Sequence, residues 1–294
     1  MSAVVEPSVP FRWDLITPDH VGTLLDGVDP PPLWFVDDLI TCAGKVIARS
    51  GGGDLFFVGR SLDSMFDLLG GALQGTIGST RLNRLPLSFA VSGRWAGGRW
   101  RPGRIDHPQR AQARCILGDL GLSPHALARR ERPATFVDVV HRGSTFTKLF
   151  ELLRDWVEHD REAWSVIRRK VRFVGVTSRT KTSPNAYRWQ QHAEWTQALP
   201  ARSVLNVSLD PLVWSYLGNS QIKLTRTFRP EAWLADADGP QRGEHTANAL
   251  AEALALVQHG RTPSARRSLA QAMADDPAIA DPWLRSLIVQ LNGH

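Results

Sequence analysis

The chain lacks the features that mark secreted, disulfide-stabilised or membrane-spanning proteins. Its 294 residues include two cysteines, Cys42 and Cys115, which have neither metal-ligand spacing nor a paired framework. No run of about 18 apolar residues occurs. The first thirty residues mix acids and prolines where a signal peptide needs a basic start and an apolar centre. We therefore expect two buried thiols, a reducing compartment and a soluble cytoplasmic protein with no membrane partner.

Lysine is also scarce, since it occurs at only five positions and arginine supplies most of the positive charge. The formal net charge is +6. The planar arginine side chain is suited to bidentate recognition of phosphate and carboxylate groups. An anionic ligand is therefore expected, either a nucleic acid or a polyphosphate metabolite, and net charge alone does not separate the two.

The pattern of apolar residues predicts strands that alternate with helices. A helix is predicted from Leu33 to Arg49, ending at the Ser50–Gly53 stretch. Short apolar runs predict strands at 55–58, 86–91, 135–140, 171–176 and 204–209. Helical periodicity lies between them at 62–73, 109–130, 146–169 and 190–199. This order predicts an α/β fold with a mostly parallel twisted sheet flanked by helices.

The two ends of the chain differ from this middle part. Residues 1–32 are rich in proline and are interpreted as an N-terminal arm on the α/β domain, 33–240. Residues 241–294 contain three helical segments rich in alanine and leucine, at 244–259, 263–274 and 281–291. One and a half helical hairpins are too few to stack as a repeat array, so a C-terminal helical cap is expected.

One stretch has the features of a phosphate-binding loop at the end of a strand. Asp138 lies at the carboxyl end of an apolar run, the edge of an open α/β sheet where ligands bind. Gly143, Ser144 and Thr145 follow, and a helix is predicted from Phe146. Backbone N–H groups, hydroxyls and a helix N-terminus together favour an anion.

A similar stretch upstream has a structural interpretation. Asp37 and Asp38 lie within a helical period and offer no hydroxyl after Gly44, so they are predicted to be first-turn acids. Asp63 and Asp67 are likewise interpreted as first-turn and surface acids of a later helix. Asp210 is either a ligand contact or a turn acid. Four tryptophans, 189, 195, 214 and 233, are predicted to form a core between the sheet and the tail.

The order of these elements over residues 33 to 210 resembles a type I phosphoribosyltransferase. The resemblance rests on the strand 55–58 with its turn Gly59–Ser61, the glycine- and arginine-rich stretch 92–104, and the loop Asp138–Thr145. It implies that the loop binds the 5-phosphate of phosphoribosyl pyrophosphate and that the turn binds pyrophosphate. It also implies that stretch 92–104 is a mobile loop that closes over the ligand.

Carried over residue by residue, the resemblance gives a complete candidate site. Asp138, Arg99 and Arg101 would be catalytic, and Asp138 would also bind Mg²⁺. The phosphate-binding residues would be His141, Arg142, Gly143, Ser144 and Thr145. The pyrophosphate-binding residues would be Gly59, Arg60 and Ser61. Val137 departs from the family pattern, since an acid usually precedes the second acid at this point.

Two functions of different classes follow from the resemblance. The first is a Mg²⁺-dependent transferase that moves phosphoribosyl to a nucleobase or another nitrogen nucleophile and releases pyrophosphate. The second is a non-catalytic regulator that senses the same metabolite and binds nucleic acid. Val137 favours the regulator and the arginine-rich loop favours the enzyme. We expect a small-molecule acceptor as partner, with nucleic acid less favoured and a homodimer left open. An α/β protein that binds another phosphorylated ligand is a third option.

Overall fold

The described part of the chain comprises residues 9–91, 94–96, 99–101, 103–179, 188–235 and 239–293 of a computed structural model. Within these ranges the chain has an α/β fold with a five-stranded, entirely parallel sheet and a separate two-stranded hairpin. The strands are β1 (Asp54–Val58), β2 (Leu82–Leu85), β3 (Arg94–Ala96), β4 (Arg99–Arg101), β5 (Ala134–Val139), β6 (Val171–Ser178) and β7 (Val204–Leu209). The helices are α1 (Val36–Arg49), α2 (Asp63–Ala72), α3 (His107–Asp119), α4 (Pro124–Arg129), α5 (Ser144–His159), α6 (Trp164–Ile167), α7 (Pro211–Ser215), α8 (Glu244–Gly260), α9 (Pro263–Ala274) and α10 (Pro282–Asn292).

The sheet has the strand order β2-β1-β5-β6-β7. The chain leaves β1 in one direction to form β2 and then crosses back to form β5 on the other side of β1. Because the two connections diverge, the carboxyl ends of β1 and β5 border a crevice at the point where the strand order reverses. Ligands of open α/β sheets bind at such points.

Four of the five predicted strands, the long helices and the parallel sheet are confirmed, but the strand predicted at 86–91 is wrong. The strand at this edge is Leu82–Leu85, which contains Asn83 and Arg84 and pairs with β1. An edge strand needs one neighbour and tolerates polar side chains, so it lacks the continuous apolar run of a central strand. The apolar stretch after it makes a single bridge, from Leu87 to Phe228.

Side chains from successive strand positions fill two cores on opposite faces of the sheet. Phe57 and Val137 point to one face, where α1, α2, α9 and α10 cover them. Phe56 and Phe136 point to the other face, against α3, α4 and α5. Every residue of β1 is buried, as expected for a central parallel strand with helices on both faces.

The tail helices lie on the first of these faces. Helix α8 packs along α2, α9 packs along α1, and α10 packs on α9. The N-terminal arm reaches the same region, where Trp13 and Leu15 contact the apolar side of α8. No helix among the described residues is long and apolar enough to cross a membrane.

Two predictions about buried side chains are wrong. Trp189 and Trp233 are fully buried on the α3 and α5 face, not between the sheet and the tail. Trp214 does pack against the tail face as predicted, and aliphatic side chains of α1, α2, α9 and α10 form most of the core there. Cys42 is buried as predicted, whereas Cys115 is exposed.

Candidate functional site

The turn after β1 presents backbone donors at the crevice. Gly59 has a left-handed φ of 68°, and its N–H donates to the Leu85 carbonyl at 2.8 Å. Leu62 then begins α2 and supplies no side-chain cap. The N–H groups of residues 60, 61 and 62 find no acceptor among the described residues. Uncapped N–H groups at a helix N-terminus favour an anion.

The loop after β5 has the same arrangement. Gly143 is the N-cap residue of α5 and has a φ of 75°, and no side chain caps the helix. A Cβ at this position would lie 2.4 Å from a carbon of the Trp189 ring, so both conformation and packing require glycine. By contrast, α3, α9 and α10 begin with side-chain caps from Asp106, Thr262 and Asp281. Helices α1, α6 and α8 also begin without a side-chain cap, so an uncapped start is shared with helices away from the crevice.

The turn and the loop line one cavity, which we call the switch-point cleft. Its volume is about 130 Å³. Its lining residues are Val58, Gly59, Arg60, Ser61, Pro86, Leu87, Ser88, Asp138, Thr145, Thr227 and Phe228. Sites for whole drug-sized ligands usually enclose roughly 300–1,000 Å³. The cleft is smaller than such sites, so it could enclose only the phosphate-bearing parts of a larger ligand.

Asp138 is the acid of this cleft, and its side chain is only 5% exposed. The Val139 N–H donates to its Oδ1 at 2.7 Å, and the Thr145 hydroxyl also bonds to the carboxyl group. Burial outweighs these bonds and raises the pKa of Asp138 from its ordinary value of 3.8 to about 8. At neutral pH the carboxyl group of the ligand-free protein therefore holds its proton.

The third wall of the cleft comes from residues 221–228, a segment that the sequence analysis did not identify. Thr227 and Phe228 line the cleft directly. Behind them, Arg60 donates to the Thr225 carbonyl at 2.9 Å and Lys223 donates to the Ser61 carbonyl at 2.9 Å. The segment follows β7 and has no helical or strand periodicity, so no local pattern in the sequence predicts its position.

Asp63 lies in the first turn of α2 as predicted, but both Asp63 and Asp67 are buried, so the prediction of a surface acid on this helix is wrong. Asp63 accepts from Arg84 at 3.1 Å and from Arg12 at 3.1 Å, and the Thr225 hydroxyl donates to it at 2.6 Å. Asp67 also pairs with Arg12. Despite the burial of Asp63, the two arginines hold the pKa of its carboxyl group below the ordinary value. This ion cluster fixes α2 directly behind the turn.

Not every predicted site residue lies in the cleft. Gly143 is buried next to it, while His141, Arg142 and Ser144 are exposed and do not line it. The ring of His141 lies 6.2 Å from that of Trp214, a neighbour that the sequence analysis placed only in the core.

Arg99 of the β3–β4 hairpin and the remaining predicted acids are not among the residues that line the cleft. Arg99 is exposed on β4, and the side chain of Arg101 lies outside the described residues. Asp210 caps α7 by accepting from Leu212 at 2.9 Å, which is the turn role of its two predicted roles. Asp37 and Asp38 lie in the first turn of α1 as predicted.

Comparison of the chain with protein-family models, with curated proteins and with solved structures finds no match.

Proposed function

We propose that the protein is a Mg²⁺-dependent phosphoribosyltransferase that uses phosphoribosyl pyrophosphate and a nitrogen nucleophile. The observation that carries this proposal is the meeting of the Gly59–Ser61 turn with Asp138 and Thr145 in one cleft. The resemblance assigns the turn to pyrophosphate and the loop to the ribose phosphate. A ligand with two phosphate-bearing ends matches two uncapped helix N-termini that border a single crevice.

The arrangement suits a reaction in which negative charge grows on a departing pyrophosphate. Displacement at the anomeric carbon passes through an oxocarbenium-like state, which fixed donors and cations stabilise better than a strong base does. Arg60 and the N–H groups of residues 60 to 62 would receive the departing group. The Thr145 hydroxyl and the N-terminus of α5 would hold the phosphate that stays on the ribose.

Mg²⁺ fits this cleft as an ion that the ligand brings with it. Among the described residues no group of three or more His, Cys, Asp or Glu side chains is arranged to hold a metal. Mg²⁺ is commonly bound by one or two carboxylates together with substrate phosphates and water, and Asp138 supplies one carboxylate. When bound, the ion would neutralise part of the pyrophosphate charge. Asp138 must lose its proton to bind it, so binding should release a proton.

One observation favours the non-catalytic alternative. Val137 is fully buried among apolar side chains of the α1 face and brings no second carboxylate to the cleft. A site with a single acid that is neutral before binding is suited to holding the ligand without turnover. A regulator that binds phosphoribosyl pyrophosphate and responds through nucleic acid is therefore the second candidate.

Calorimetry tests the proposal at its first step. The wild-type protein is titrated with phosphoribosyl pyrophosphate and Mg²⁺ beside Asp138→Asn and the control Asp119→Asn, which changes an exposed acid on α3. We expect the wild type and the control to bind equally. We expect Asp138→Asn to bind at least about tenfold more weakly, because it removes a charged metal ligand. Absence of wild-type binding would overturn the assignment of the cleft.

A second measurement separates the two candidates. Pyrophosphate release is followed with a panel of nucleobases and amines, and DNA and RNA binding is measured with and without the metabolite. Release with any acceptor supports the transferase. Binding without release, together with nucleic-acid affinity that depends on the metabolite, would establish the regulator instead.

A further inference from the structure

A buried lysine lies directly behind the turn of the switch-point cleft. The Lys223 ammonium group donates to the Ser61 carbonyl at 2.9 Å and also to the Gln221 side-chain oxygen. It lines a small cavity behind the turn together with Asp63 and Ser64, whereas Ser61 itself lines the cleft. Lys223 therefore lines a different cavity from the one that the Gly59–Ser61 turn lines.

This placement sets the direction of the backbone donors. In a trans peptide the carbonyl and the N–H point in opposite directions, and the described residues contain no cis peptide bond. Because Lys223 holds the Ser61 carbonyl from behind, the N–H of Leu62 points away from the lysine. That N–H is one of the donors at the uncapped start of α2.

We propose that Lys223 is a positioning residue of the switch-point cleft, which holds the Ser61–Leu62 peptide so that its N–H faces an anionic ligand. The ligand end concerned is the pyrophosphate group, so this inference rests on the function proposed above. Lys223 acts through the Ser61 peptide.

A hydrogen-bond network from the tail keeps the lysine in place. The Gln221 amide group donates to Ser64 at 2.6 Å and to the carboxylate of Glu252 on α8. The Tyr216 hydroxyl donates to the other oxygen of Glu252 at 2.7 Å. Glu252 is buried, so its charge requires such partners. The tail helix α8 thus contributes to the geometry of the turn through Gln221 and Lys223.

Several charged groups face Lys223 from the surrounding elements. Burial lowers the pKa of its ammonium group to about 8, while Asp63 and Glu252 oppose this decrease and Arg60 adds to it. Asp67 of α2, Asp138 of β5 and Arg12 of the N-terminal arm, which lines the same small cavity, are further charged neighbours among the described residues. As pH rises through about 8 the ammonium group loses its proton, and its hold on the Ser61 carbonyl weakens.

The test measures binding of inorganic pyrophosphate without Mg²⁺ by calorimetry at pH 7. Lys223→Met removes the charge at similar length, Lys223→Arg keeps it, and Arg267→Met removes an exposed cation of α9 as a control. We expect Lys223→Met to bind about tenfold more weakly, since hydrogen bonds to charged groups are of that strength. Lys223→Arg should recover most of the affinity, and Arg267→Met should match the wild type.

A pH series gives a readout that a purely structural role would not change. It is measured in an Asp138→Asn background, so that this second group with a pKa near 8 does not contribute, and each variant is compared with its parent at the same pH. The affinity ratio between the parent and Lys223→Met should shrink from pH 7 to pH 9. Equal binding by Lys223→Met, or a folded Lys223→Arg that binds no better than it, overturns the inference. Failure of the wild type to bind any pyrophosphate overturns the proposed function as well, so the two failures are distinguishable.

Discussion

Replacement of Asp138 by asparagine should stabilise the protein at neutral pH while it removes the acid of the cleft. The asparagine amide has nearly the same shape, and its oxygen can still accept from the Val139 N–H. Its NH₂ group can donate to the Thr145 hydroxyl. The substitution therefore removes the ionisable group with little change in packing.

The size of the effect follows from the pKa of Asp138, which burial raises from 3.8 to about 8. Between these values the folded protein binds a proton that the unfolded chain has lost, so stability falls as pH rises. Each pH unit corresponds to about 1.4 kcal/mol, and pH 7 lies about three units above the lower value, which gives at most about 4 kcal/mol. Well below pH 4 both states are protonated and the difference disappears.

The assay is urea unfolding of the wild type, Asp138→Asn and the exposed control Asp119→Asn from pH 4 to pH 8. Ionisable groups that all three proteins share contribute equally to the free energy of unfolding, so their contributions cancel when the proteins are compared at one pH. We expect the advantage of Asp138→Asn to be small at pH 4 and to increase steadily up to pH 8. A constant difference, or a variant that is less stable than the wild type at pH 7, would show that the carboxyl group is not held neutral.

Two glycine substitutions with matched controls test the packing around the site and the tail. Gly143→Ala should destabilise by about 3 kcal/mol, because it combines a left-handed φ with a clash against the Trp189 ring. Gly75→Ala, at an exposed site of similar φ with open space around it, should cost only about 1 kcal/mol, and equal losses in denaturant unfolding would contradict the clash. Gly71→Ala should destabilise by about 3 kcal/mol, since its Cβ would lie 2.0 Å from a backbone carbonyl of α8. Its neighbour Gly70→Ala meets only the end of a flexible side chain and should gain up to about 1 kcal/mol from helix propensity, so a loss similar to that of Gly71→Ala would refute this account.

The parts of the fold that the sequence predicts are those that local periodicity determines. The apolar run of β5 and the spacing of α1 give the right elements because both are buried in the way their patterns require. The edge strand β2 is not predicted because its polar residues resemble those of a turn. The more apolar stretch after it forms a hydrogen bond to the Phe228 carbonyl and is not a strand of the sheet. The burial of Trp189 was predictable from its residue type, but the face of the sheet on which it is buried was not.

Some residues of the candidate site belong to local sequence patterns, and others reach it only through the packing of distant segments. The Gly59–Ser61 turn and the Asp138–Thr145 loop are local patterns, and the structure brings residues of both into one cleft. Lys223 and Thr227 are more than 160 residues from the turn in sequence, and only the packing of the segment after β7 brings them there. The burial of Asp63 was missed for the same reason, since Arg12 and Arg84 approach it from the arm and the edge strand.

The pKa shifts around the cleft indicate that this edge of the sheet is not arranged for stability alone. Burial raises the pKa of Asp138 and of Asp67 and lowers that of Lys223, and each shift disfavours a charge that the unfolded chain would carry at neutral pH. Uncharged side chains of similar shape would avoid this loss of stability. Such shifts concentrate at functional sites, where a ligand or metal can compensate the buried group. Mg²⁺ that enters the cleft with its ligand should therefore stabilise the wild type more than Asp138→Asn, because a cation favours ionisation and only the wild type has a carboxyl group that can ionise.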